Sequence, residues 1–154
     1  MILVTPDIFP LAEVFTIARG SRTEAKVLTI RVIREGVTGF GECVPYARYG
    51  ETLESVTKQI TDLPSDISRQ DLQDALPPGA ARNAVDCALW DLEAKRTGTP
   101  VWRLAGLPKP KPEITAFTLS LDTPDKMQLA AAKHAHRPLL KIKLGTPDDM
   151  PRLE

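Results

Sequence analysis

The sequence predicts an α+β fold in two parts: a three-stranded antiparallel meander followed by helices, then a strand–helix–strand unit of a parallel sheet. Three observations carry this. Short apolar stretches, among them the alternating "KVLTIRVI", mark β structure within positions 1–45, and apolar residues recur every three or four positions between Thr52 and Gly98. Past the proline-rich stretch Leu107 to Pro112, strand and helix periods follow one another.

In the meander "ILV" opens, "KVLTIRVI" alternates, and "VTGFGECV" follows a Glu35-Gly36 turn. The first two strands are joined by "FPLAEVFTIARGSRTE", which reads as a connection from Phe9 to Glu24. That is long for a hairpin, and long loops tend to carry function. In "ETLESVTKQITDL" the residues Leu53, Val56, Ile60 and Leu63 share one helical face, and Thr52 suits the N-cap. A short second helix is expected from Ser68, with Asp71 completing a capping box. Then "AARNAVDCALWDLEAKRTG" puts Ala81, Ala84, Val85, Ala88, Leu89 and Leu92 on one side and ends at Gly98. So many alanines imply close helix packing. Pro100 starts a further turn that ends at Gly106, and "LPKPKP" reads as an extended linker between two structural units.

Beyond the linker "EITAFTLSL" is a strand, "TPDKMQLAAAKHA" a helix with Thr123 as N-cap and Pro124 at its first position, and "LLKIKL" a second strand. "TPDDMPRLE" then opens another helix. Parallel sheets need cover on both faces, so two parallel strands and an unfinished helix are expected to be the front part of something longer.

Composition narrows the class. The 154 residues are 42% hydrophobic and 26% charged, as in globular domains, and 20 basic side chains balance 20 acidic ones. No basic excess points to nucleic acid or an anionic membrane, and "KPK" in the linker is too short for such a patch. The N-terminus lacks a basic start followed by an apolar run, and no segment reaches the roughly 18 unbroken apolar residues of a membrane span. Cys43 and Cys87 stand without a CxxC pattern, which suits a reducing cytoplasm and two buried free thiols. "GVTGFGE" has glycines near a dinucleotide-binding spacing, but no βα crossover follows it. His134 and His136, two apart at a helix end, read as surface residues rather than metal ligands.

Chemistry concentrates in "LLKIKLG". Strand periodicity puts Leu140, Ile142 and Leu144 on one face, and Lys141 and Lys143 side by side on the other. Two readings stand open. The strand is half exposed with both lysines in water, or it lies in a closed (β/α)8 barrel with both amines aimed into the interior near the C-terminal mouth. There two adjacent ammonium groups disfavour each other's protonation, and one amine could serve as a base.

The stretches "IARGSR", "GFGECVPYARYGET", "GAARNAVDCALWDLEAK", "ITAFTLSLDTPDKM" and "LLKIKLG", in this order, resemble the N-terminal half of enolase-superfamily enzymes of the muconate-cycloisomerase subgroup. Within it they are most similar to the dipeptide epimerases that act on L-Ala-D/L-Glu. The KxK strand is common to the subgroup, whereas "IARGSR" with "PYARYGET" is more particular to those epimerases.

This resemblance implies that residues 1–110 form an α+β capping domain whose early loops close over a barrel mouth, and that 113–154 begin the (β/α)8 barrel without completing it. It implies an isomerase that abstracts the proton next to a carboxylate and returns one on the opposite face, through an enolate held by Mg²⁺. Lys143 would be an acid/base catalyst and Lys141 its electrostatic neighbour. Arg22 would hold a substrate carboxylate through its fork of donors, with Arg19 a weaker candidate. Thr118 would approach the substrate from the first barrel strand, and Tyr46, Arg48 and Tyr49 would shape the pocket from the second capping loop. The metal-binding carboxylates and the opposing lysine of the family lie on later strands, so this chain by itself is expected to bind no Mg²⁺ and to epimerise nothing. The implied partner is a small dipeptide in the cytoplasm, with no nucleic acid and no membrane, and homo-oligomerisation is left open. Sister activities, o-succinylbenzoate synthase or a muconate-type cycloisomerase, and a non-catalytic truncated fragment remain as alternatives.

Overall fold

The computed structural model describes residues 1–145, 147 and 149–153. The chain forms two compact units, Met1–Phe9 with Lys26–Pro110, and Pro10–Ala25 with Lys111–Glu154. No helix among the described residues is long and apolar enough to cross a membrane.

The sheet that runs through the first unit has the order β1 (Ile2–Ile17), β2 (Gly20–Arg34), β3 (Val37–Cys43). Met1 and Ile33 exchange hydrogen bonds at 2.9 and 3.0 Å, which fixes the start of β1 against β2. The β2–β3 pairing is antiparallel from Arg34 opposite Val37 to Leu28 opposite Cys43. Its turn residues Glu35 and Gly36 both have positive φ, 51° and 78°, the conformation that matches the twist of a two-residue hairpin. Leu28, Ile30 and Val32 point into the core, where they meet Val56 and Ile60 of α1 (Leu53–Thr61), Leu72 of α2 (Arg69–Ala75) and the Ala81, Ala84, Val85, Ala88, Leu89, Leu92 side of α3 (Ala80–Thr97).

Local signals account for the helix ends. Thr52 and Ser55 form a reciprocal capping box on α1, and Gly98 closes α3 in the left-handed conformation at φ 64°. On α2 the box is only half made. The Ser68 side chain accepts from the Asp71 N–H, but the Asp71 carboxylate takes the Ser68 hydroxyl at 2.6 Å instead of a backbone N–H. Arg69 ties α2 to α3 through two bonds to Glu93 (3.2 and 2.8 Å) while its guanidinium lies 3.3 Å from the centre of the Trp90 ring. Pro100 caps a short α4, Val101–Leu104.

In the second unit β4 (Phe117–Leu119) and β5 (Leu140–Ile142) pair in parallel, with α5 (Pro124–Lys133) between them in sequence. Leu119 and Met127 are its buried apolar side chains. Thr123 makes no side-chain cap on α5, and its own N–H is taken by the Asp122 carboxylate at 2.7 Å. The segment expected to open another helix shows a single 3-10 turn, Met150–Arg152, while its Thr146, Asp148 and Glu154 lie outside the described residues.

Three expectations are corrected. The stretch from Phe9 to Glu24 is not a loop: β1 and β2 continue through it to a two-residue turn at Ala18-Arg19. Alternation is weak there because Pro10, Ala12 and Gly20 interrupt it. Cys43 is buried as expected, but Cys87 is exposed, since it falls off the Ala84–Ala88 side of α3. His134 is half-buried with its ring 4.0 Å from that of Phe117, so an aromatic neighbour holds it off the surface.

The two thiols give a direct check. Burial first, and then the charges of Glu51 and Glu42, push the Cys43 thiol up to about 11. Cys87 is expected to react with a disulfide reagent in the native protein, whereas Cys43 reacts only as fast as the sheet opens, which a time course of thiol release measures. Because folding holds the Cys43 thiol in its neutral form, its contribution to stability declines as pH rises from about 8.5, the value for a free thiol, toward the folded value.

Candidate active site

The lysine strand is placed by the parallel pair. Thr118 stands opposite Lys141 in the register, and the Lys143 N–H extends the ladder by donating to the Leu119 carbonyl at 3.2 Å. Thr118 and Lys143 are half-buried and Lys141 is exposed. The apolar residues of the same strand are less covered than their pattern suggests, Ile142 being 39% and Leu144 41% exposed. Ile142 lines a groove of about 240 Å³ with Leu119, Met127 and Leu153.

The tip of the β1–β2 hairpin belongs to this same unit. The Val14 carbonyl accepts from the Ser120 hydroxyl at 3.3 Å, and the Thr16 carbonyl accepts from the Leu121 N–H at 3.1 Å. Glu13 pairs with Lys133 at 2.9 Å, and that bond, followed by the charge of Lys133, holds the Glu13 carboxyl below its usual range. The Lys143 ammonium lies over the Phe15 ring, 5.9 Å from its centre. Next to it the turn touches the strand end: a Cβ on Gly145 would stand 2.3 Å from the Ala18 Cβ. Arg22, exposed, follows on the returning arm just after Ser21, whose hydroxyl meets that of Thr16 at 2.9 Å. Hence Arg22, Thr118, Lys141 and Lys143 share one compact unit.

Tyr46, Arg48 and Tyr49 belong to the other unit, on a loop built by the residues that follow them. Ala47–Tyr49 is a 3-10 turn that Gly50 closes at φ 74°. Glu51 then takes the Tyr46 N–H on one carboxylate oxygen (3.0 Å) and the Ala80 N–H on the other (2.7 Å). Since the N-cap of α3 is Gly79 and has no side chain to offer, Glu51 satisfies that helix end from a distance and ties the loop to it. The Tyr46 and Tyr49 rings lie 5.7 Å apart, and Tyr49 is 76% exposed.

Reading residues along the chain missed Glu51, Phe15 and Gly145. A signal for the first was available: a long helix beginning at Gly-Ala needs an acceptor from elsewhere. Among the described residues no three His, Cys, Asp or Glu side chains gather to hold a metal ion.

Residues 2–106 match the model of the mandelate racemase / muconate lactonizing enzyme N-terminal domain. The chain belongs to this family of the enolase superfamily. Among relatives in the superfamily, the L-Ala-D/L-Glu epimerase of Escherichia coli K12 is 46% identical over 147 residues, which are 92% of this chain and 46% of that protein. A crystal structure of an enolase-family protein from Agrobacterium tumefaciens, described as homologous to dipeptide epimerases and holding sodium and L-Ala-L-Glu with an ordered loop, is 50% identical and superposes with a TM-score of 0.93 over 99% of this chain and 48% of its own. A dipeptide epimerase of Enterococcus faecalis, solved with Mg and L-Leu-L-Tyr, is 27% identical with a TM-score of 0.83 over 99% of this chain and 48% of its own. The chain therefore spans about half the length of the relatives it matches. The three-stranded sheet with its helices agrees with the capping domain of the superfamily, and the parallel β4–β5 pair agrees with the start of a barrel.

Proposed function

We propose that this chain is the N-terminal part of a dipeptide epimerase acting on L-Ala-D/L-Glu, with residues 1–110 as its capping domain and 113–154 as the beginning of its (β/α)8 barrel. The observation that carries the proposal is the common unit of Arg22, Thr118, Lys141 and Lys143, in which the hairpin bearing Arg22 is bonded through its other arm, at Val14 and Thr16, to the strand segment that also holds Lys143. The likeness to the Escherichia coli and Agrobacterium tumefaciens proteins supports the choice of substrate class.

In this proposal the neutral Lys143 amine takes the proton from the carbon next to the substrate carboxylate and becomes an ammonium, while the C–H electron pair moves into the carboxylate to give an enediolate. A proton returned on the opposite face inverts the centre. Lys141 adds positive charge beside the reacting group, and the Arg22 guanidinium holds the glutamyl side-chain carboxylate. Thr118 borders the substrate, and Tyr46, Arg48 and Tyr49 shape the pocket from the capping domain. The Enterococcus faecalis relative holds Mg, and in this proposal such an ion would stabilise the enediolate as a Lewis acid. The two free cysteines support a reducing compartment, the cytoplasm.

The test is isotopic. The complete protein, in D₂O with Mg²⁺ and L-Ala-L-Glu, is expected to wash deuterium into the glutamyl α-position, as mass spectrometry reads. Arg22→Met should lower kcat/KM for acidic dipeptides by about 10- to 100-fold, the worth of one charge-assisted carboxylate contact, and affect uncharged dipeptides less. Absence of wash-in, or an equal loss on both substrate types, would refute the assignment.

A further inference from the structure

Phe15 and Lys143 are held to one three-residue segment by separate bonds. Lys143 donates its N–H to the Leu119 carbonyl, Ser120 donates its hydroxyl to the Val14 carbonyl, and Leu121 donates its N–H to the Thr16 carbonyl. The residues on both sides of Phe15 are thus bonded to positions 120 and 121, and the lysine is bonded to position 119. This frame sets the half-buried Phe15 ring beneath the Lys143 ammonium, 5.9 Å from ring centre to nitrogen, within the range of about 6 Å over which a ring face attracts a cation.

The type of contact matters for a group that must gain and lose a proton. A lysine side chain has many accessible rotamers, so an unrestrained amine spends little time in any one position. A carboxylate would restrain it by an ion pair that favours the charged form. An aromatic face restrains it more weakly and presents no acceptor oxygen to occupy the nitrogen.

We propose that Phe15 is a positioning residue for Lys143, its ring face confining the amine to the side of the strand pair on which the hairpin lies. This rests on Lys143 as the base of the proposed epimerase. A ring that served only to fill space would be replaced well by leucine, whereas a ring that confines the ammonium is replaced by tyrosine and not by leucine.

Two measurements test it. In the complete protein, labelled with ¹³C at lysine Cε, the Lys143 ε-methylene signal, identified by its disappearance in Lys143→Arg, should lie upfield of the other lysines through the ring current. Phe15→Leu should bring it back among them, and Phe15→Tyr should keep it displaced. In the complete enzyme Phe15→Leu should lower kcat for deuterium exchange about threefold to tenfold with KM within twofold, and Phe15→Tyr should retain the original rate. An undisplaced Lys143 signal in the unaltered complete protein overturns the proposal whether or not the variants fold, as does a Phe15→Leu enzyme with unchanged kcat. If Lys143→Ala leaves exchange intact, the base assignment has failed instead, and a displaced NMR signal would still report the ring contact.

Discussion

Alanine at position 41 is expected to destabilise the protein by about 3 kcal/mol or more, above the usual cost of an added methyl group in a packed core. Gly39 and Gly41 sit two apart on β3 and face α3. A Cβ on Gly41 would stand 2.0 Å from the Ala84 carbonyl oxygen and 2.9 Å from the Ala88 nitrogen, and one on Gly39 would stand 2.1 Å from the Ala88 carbonyl oxygen. These are backbone atoms of a helix, which no rotamer change can move aside. To admit the methyl group α3 would have to lift from the sheet, and Ala84, Val85 and Ala88, all fully buried, would lose their contacts together. Urea unfolding should show a lower midpoint with an unchanged slope. Gly36→Ala is the control: it meets nothing within 4 Å and bears only the strain of φ 78°, about 1 kcal/mol. A Gly41→Ala protein as stable as that control would mean that strand and helix do not approach as closely as described.

Replacing Lys143 with alanine is expected to slow α-proton exchange from one substrate stereoisomer by about 10²- to 10⁴-fold, the usual contribution of a positioned acid/base group, while leaving KM for that isomer within a few fold. The asymmetry is the informative part. If Lys143 serves one face and another group serves the opposite face, loss of the amine blocks removal of the proton on its own side only. Lys141→Ala, by contrast, should lower the rate from both isomers by a smaller factor if, as proposed, it acts through charge and not through proton transfer. Equal loss from both isomers in Lys143→Ala would make it a structural or electrostatic residue, and unchanged exchange would remove it from the reaction. Circular dichroism on each variant separates these outcomes from unfolding. The half-exposed strand that carries both lysines tolerates truncation better than the core around Gly41 does.

Much of the fold was legible residue by residue. The apolar face of α1, its Thr52 cap, the alanine side of α3 and the Gly98 stop all stand where spacing places them. The Glu35-Gly36 turn was marked by a glycine between alternating strands. The hairpin from Phe9 to Glu24 was not legible, because Pro10 and a run of polar residues hide strands that are held mainly by backbone pairing. The lysine pair could be singled out by pattern and Thr118 through the family resemblance, but their neighbours could not.

By itself the sequence determined the strand and helix periods, the caps, the KxK pair and the membership of a family. The periods and caps depend on interactions between residues no more than about four apart, which leave a periodic trace in the sequence, and the family shows in motifs that need no contact to be read. Only the tertiary structure decided that Glu51 caps α3 across 29 positions, that Ser120 reaches Val14 across 106, and that the Phe15 ring comes under Lys143. Each such contact is worth about 1 kcal/mol and recurs with no period, so it exists only where chain closure brings its two ends together.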